Sequence, residues 1–141
     1  EVAKSGFPLS IVIFDLDHFK RVNDTYGHIA GDYVLKETTR VIKETVVRSE
    51  DILGRWGGEE FLLIMPDAKL EVAVGVAERI RKTMEMHDFV FSGMKIPVTA
   101  SLGVAIWIPA LKTAEDFLEV SDQLLYKSKQ DGRNRVSFKR S

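Results

Sequence analysis

A chain of 141 residues, 45% hydrophobic and 29% charged, has the size and balance of one globular domain with its own core. A net charge of −1 excludes broad electrostatic attraction to nucleic acid, and the absence of cysteine excludes disulfides and thiolate metal sites. No apolar run approaches the roughly 20 residues of a membrane-spanning helix, so no direct membrane contact is expected. With no cysteine and no visible signal segment, a cytoplasmic location is expected. Glu1 stands where a Met would begin a complete chain, so residues 1–141 read as a single domain excised from a longer protein.

Leu9 to Leu16 reads as a buried strand ending in acids, and Asp17 to Tyr26 as a short helix or turn. From Asp32 to Val47, Val34, Val41, Ile42 and Val46 recur with Thr38 and Thr45 at helical spacing. Ile52-Leu53 and Phe61 to Met65 flank Gly57-Gly58, which is a hairpin signal because glycine supplies the positive φ of a tight turn. Lys69 to Met86 is a second long helix, with Leu70, Ala73, Val74, Ala77, Ile80 and Met84 on one face. Val98 to Trp107 reads as a strand, with Phe89 to Phe91 as a candidate partner. A third long helix covers Ala114 to Ser128, and Val136 to Phe138 is a short final strand. Strand, helix, hairpin, helix, strand is the order of a split βαβ, ferredoxin-like α+β core with helices on one face, which the remaining elements extend.

Chemistry concentrates at the strand ends. Asp15 and Asp17 stand where the first strand stops, and Glu59-Glu60 follow the glycine pair. If the first strand pairs with the hairpin, carboxylates from two distant segments converge there. Adjacent carboxylates repel unless a cation or proton lies between them. Mg²⁺ takes oxygen ligands and often combines one or two carboxylates with substrate phosphates. The plainer alternative makes Asp15 and Asp17 helix caps and leaves the glutamates solvated. His18, His28 and His87 lack metal-ligand spacing and read as polar turn or helix-surface residues.

Phe14 to Asp32 (FDLDHFKRVNDTYGHIAGD), Gly54 to Phe61 (GRWGGEEF) and Leu125 to Val136 (LYKSKQDGRNRV) together resemble the GGDEF family of diguanylate cyclases, in its GGEEF form. The resemblance runs from about Leu9 to Val136. It implies a nucleotidyl cyclase or polymerase palm-like fold: a central, mainly antiparallel five-stranded sheet surrounded by helices, with a small peripheral hairpin. It implies condensation of two GTP molecules into cyclic di-GMP and two pyrophosphates, with Mg²⁺ or Mn²⁺, two per GTP site. Metal ligands would be Asp15, the Leu16 carbonyl, Glu59 and Glu60, and Asp15, Glu59 and Glu60 form the catalytic set. For Glu60, metal binding and deprotonation of the attacking hydroxyl both remain open. Asn23 and Asp32 would read the guanine edge, an Asp accepting where adenine offers no matching donors. Asp17, His18 and Phe19 would cradle phosphate through their backbone beside Gly57 and Gly58. Lys129 and Arg133 would bind the triphosphate.

Arg48-Ser49-Glu50-Asp51 matches the family's RxxD inhibitory site for cyclic di-GMP, with Arg79 bridging from another subunit. An isolated RxxD is more often a surface ion pair of little energetic worth. Catalysis would require a homodimer, two half-sites face to face, under the control of an upstream sensory or receiver domain. A non-catalytic cyclic di-GMP receptor is the alternative, and a cyclase for another purine nucleotide is a third reading. Ser121 stands where the family commonly has alanine, and the family's DxLT leader is not in the sequence.

Overall fold

The computed structural model describes residues 8–140. In chain order the elements are β1 (Leu9–Leu16), α1 (Phe19–Tyr26), α2 (His28–Thr45), β2 (Ile52–Gly57), β3 (Glu60–Pro66) and α3 (Leu70–Met86). There follow β4 (Phe89–Phe91), β5 (Met94–Ile96), β6 (Ala100–Ile106), a single 3₁₀ turn at Pro109–Leu111, α4 (Ala114–Gln130) and β7 (Val136–Phe138). The five-stranded sheet has the order β2-β3-β1-β6-β7, antiparallel except where β7 joins β6 in parallel. This is the expected α+β, palm-like architecture.

β1 is central, and its side chains are buried on both faces, which explains a nearly unbroken apolar run where an edge strand would alternate. One face carries Val12, Phe14, Leu16, Phe61, Leu63 and Met65 against α2 and α3, the pair of core helices expected on one side. α4 covers the other face, where Phe117 meets Ile11 and Ala105. It sits close because Gly103 has no side chain: a Cβ there would lie 2.5 Å from the Leu125 amide nitrogen and 2.6 Å from the Ser121 carbonyl. Ser121 is fully buried and donates to the Phe117 carbonyl, so the small residue in place of alanine is accommodated within the helix.

Two boundaries depart from expectation. Phe89–Phe91 does not join β6. It pairs with Met94–Ile96 in a separate two-stranded sheet, because Ser92 and Gly93, at φ 50° and 78°, form a tight local turn. Closing a short local hairpin costs far less chain entropy than a distant pairing. α2 begins at His28, ahead of the expected Asp32, since Gly27 at φ 93° separates it from α1. The helical pattern was masked there because Ile29 is 76% exposed.

Candidate active site

The register of the sheet brings the acids together. Asp15 on β1 lies directly opposite Glu60 on β3, next to the cross-strand pair Phe14 and Phe61, whose rings stack at 5.0 Å. Gly58 takes φ 49° in the turn, and a bulge between Arg55 and Gly57 brings Gly57 opposite Glu60. The Leu16 amide donates to the Glu59 carbonyl at 3.4 Å, which ties the turn to the end of β1. Glycines at the turn and apolar anchors behind it thus fix three carboxylates at one end of the sheet.

Asp15 is only 6% exposed. Its Oδ2 accepts from the Lys129 ammonium, while Oδ1 is buried without a partner among the described residues. A buried polar atom left unsatisfied costs about 1–3 kcal/mol, so this oxygen is available to accept from a water or to ligate a cation. Burial pushes the Asp15 carboxyl above its ordinary value; Lys129 opposes this, and Glu59 and Asp17 add to it. Glu60 is also raised, first by burial, then by Asp122 and Asp15, with Lys129 opposing. Asp122 on α4 therefore belongs to the acidic cluster, although the sequence reading passed over it; its spacing to Lys129, two helical turns on, was the available signal.

This oxygen-only donor set, with an orphaned carboxylate oxygen, suits a hard divalent cation. Among the described residues the acids do not already stand as a three-group ligand cluster. The Lys129 ammonium occupies Oδ2 of Asp15 and leaves Oδ1 as the oxygen open to a cation.

The phosphate cradle needs one correction. The Asp17 amide donates to the Thr99 carbonyl at 2.8 Å, so it is not free for a phosphate. Its carboxylate is also engaged, by Thr99, Ser101 and the Asn134 amide. What remains is His18 and Phe19 at the start of α1. His18 adopts the left-handed conformation and no side chain caps the helix, which leaves its first amides open to an anion. Arg133 projects from the turn after α4, with Nη1 3.8 Å from Asp17 Oδ1.

Asn23 and Asp32 line one cavity of about 300 Å³ together with Phe19, His28, Ile29 and Leu35. Gly31 makes room for it, because a Cβ there would fall 1.9 Å from Asn23 Oδ1. His28 is exposed, as expected of a surface residue, and also lines this cavity. A glycine inside a helix costs about 1 kcal/mol, and that cost was the signal pointing to Gly31.

Away from this end, Arg48 and Asp51 form a closed unit. The Arg48 amide, Nε and Nη2 all donate to the Asp51 carboxylate, and Nη2 also reaches the Pro66 carbonyl at 2.9 Å. The Asp51 side chain is 0% exposed and that of Arg48 is 30% exposed. The Arg79 guanidinium, from α3, donates to the Thr45 carbonyl at 3.1 Å, just before this loop.

A family model described as Diguanylate cyclase, GGDEF domain, matches residues 1–135. Diguanylate cyclase A of Treponema denticola is 45% identical over 133 residues, covering 94% of this chain and 36% of that protein. The chain thus spans about a third of that relative's length. The active GGEEF domain of a diguanylate cyclase from Vibrio cholerae superposes with a TM-score of 0.90 at 33% identity, covering 99% of this chain and 88% of the other. The GGDEF domain of DgcB from Caulobacter crescentus, solved in complex with c-di-GMP, gives 0.89 at 33% identity, covering 96% and 80%. On sequence, fold and the placement of the GGEEF turn, this chain belongs to the GGDEF family of diguanylate cyclase domains.

Proposed function

We propose that the domain condenses two GTP molecules into cyclic di-GMP, releasing two pyrophosphates. The observation that carries this reading is the buried Oδ1 of Asp15, unpartnered among the described residues and held opposite Glu60 and beside Glu59 at the sheet end. Asp15, the Leu16 carbonyl, Glu59 and Glu60 would hold Mg²⁺ or Mn²⁺, two ions per GTP. Bound there, such ions neutralise charge on the α-phosphate and lower the pKa of the attacking 3′-hydroxyl. Asn23 and Asp32 orient the guanine, and Lys129, Arg133 and the His18–Phe19 backbone hold the triphosphate. Glu60, its carboxyl raised by burial and its acidic neighbours, would take the hydroxyl proton or serve as a further metal ligand. Each domain holds one GTP, so the 3′-oxygen of one nucleotide attacks the α-phosphorus of the other across a two-fold homodimer and pyrophosphate leaves. The Arg48–Asp51 unit, with Arg79, would bind cyclic di-GMP and restrain that pairing. An upstream sensory or receiver domain in the cytoplasm would supply control.

A receptor role is the second reading, favoured by the preformed Arg48–Asp51 unit. Incubation with GTP and Mg²⁺, followed by assay of pyrophosphate and cyclic di-GMP, separates the two. Absence of product alongside retained cyclic di-GMP binding would convert the enzyme into a receptor.

A further inference from the structure

The Asp17 carboxylate is a nearly sealed junction, with its side chain 1% exposed. Oδ2 accepts from Thr99 Oγ1 at 2.7 Å and from the Asn134 amide at 3.0 Å; Oδ1 accepts from Ser101 Oγ at 2.6 Å. One side chain thus joins the end of β1, the approach to β6 and the turn between α4 and β7. That turn is strained. Arg133 and Asn134 stand at φ 66° and 48°, two consecutive non-glycine residues in the left-handed region. Each costs about 1 kcal/mol or more, and such a conformation persists only where its surroundings over-determine it. Among its restraints are the Arg133 amide on the Ser128 carbonyl at 2.9 Å, the Asn134 amide on Asp17, the Asn134 side chain on Glu85 and Arg81, and Arg135 Nε on the Arg133 carbonyl. The Arg133 side chain leaves the turn with Nη1 3.8 Å from Asp17 Oδ1.

We infer that Asp17 is a positioning residue: its carboxylate, anchored on the Asn134 amide, draws the Arg133 guanidinium and so aims it at the nucleotide's phosphates. This rests on the reading that Arg133 binds phosphate. It assigns Asp17 no contact with metal or substrate. It also explains an acid whose polar capacity is spent inside the protein two residues from Asp15.

Asp17→Asn separates the two halves of the arrangement. The amide oxygen still accepts from Asn134 and Thr99, and the Ser101 hydroxyl turns to accept from the new NH₂. Only the attraction for Arg133 is lost, replaced by a donor facing a donor. The probe is a non-reactive GTP analogue with a methylene group between the α- and β-phosphorus atoms, titrated with Mg²⁺ present. Binding is measured for the wild type, Asp17→Asn, Arg133→Ala and the double variant. Each single change should weaken binding about tenfold, the loss of one charge-assisted contact. The double variant should be no more than about twofold weaker than either single one, because both remove the same contact. A bare field effect has the opposite sign, since removing a negative charge near phosphate tightens binding. Ser101→Ala, which removes a hydrogen bond from the same carboxylate on the side of β6, should lower the thermal midpoint and leave analogue binding unchanged. Unchanged or tighter binding in Asp17→Asn, multiplicative losses in the double variant, or equal weakening by Ser101→Ala would each overturn the assignment. Binding is read without turnover, so a wild type that binds the analogue but makes no cyclic di-GMP would defeat the enzymatic reading and leave this test intact.

Discussion

Lys129 and Asp15 form an ion pair across the active-site end of the sheet, with the ammonium on Oδ2 and, among the described residues, nothing on Oδ1. The lysine neutralises a carboxylate that burial would otherwise force toward protonation. Its positive charge therefore opposes a divalent ion at Asp15. Lys129→Met should bind Mn²⁺ in the absence of nucleotide several-fold more tightly than wild type, yet turn over about 10²-fold more slowly for want of a phosphate contact. Lys127→Met is the control, because it removes the same charge from a lysine paired with Asp131. Equal Mn²⁺ affinity in Lys129→Met and Lys127→Met would refute that opposition.

Glu60→Gln should lose about 10²–10³-fold in turnover while gaining stability at neutral pH. The folded carboxyl sits above its ordinary 4.5, held up first by burial and then by Asp122. A raised acid binds its proton more tightly in the folded state, so its contribution is full below the unfolded value and is lost as pH rises through the folded one. Urea unfolding across pH should show the variant gaining on wild type from about pH 4.5 upward. A gap that is constant with pH would contradict this.

Glu37 behaves in the opposite sense. Arg40, followed by His87 at 2.7 Å, holds its carboxyl down to about 2 against an ordinary 4.5. Its contribution is present above 4.5 and fades as pH falls toward 2. Glu37→Gln should therefore be less stable than wild type at pH 7, with the difference closing over that acid range. Persistence of the full difference at the acid end would rule the linkage out.

Gly31→Ala tests the nucleotide cavity. Alanine favours the helix by about 1 kcal/mol, but its Cβ would meet Asn23 Oδ1 at 1.9 Å. The far end of Asn23 gives way and the fold survives. Affinity for the GTP analogue should drop about tenfold, with little further loss when Asn23→Ala is added. Calorimetric titration of both variants decides it.

Much of this was legible in the residues. α3 and α4 carry apolar residues at helical spacing, β1 is a short unbroken apolar run ending in acids, and the glycine pair with its acids marks a turn where charge is concentrated. What sequence hid was whatever depends on the third dimension. Asp17 looked like a cap or cradle because nothing local shows that Thr99, Ser101 and Asn134 converge on it. Phe89–Phe91 looked like a partner for β6 because a three-residue strand carries too little pattern to choose between partners. Gly103 mattered for a helix that arrives from residues far along the chain.

In the proposed reaction the acids at the ends of β1 and β3 join two GTP molecules across a pair of domains. The most direct measurement follows cyclic di-GMP and pyrophosphate from GTP and Mg²⁺ over a range of domain concentrations, for wild type and Glu59→Gln. Two pyrophosphates for each cyclic di-GMP, a specific rate that climbs with domain concentration, and loss of both products in the variant are expected. A specific rate independent of concentration, or equal product from Glu59→Gln, would contradict it.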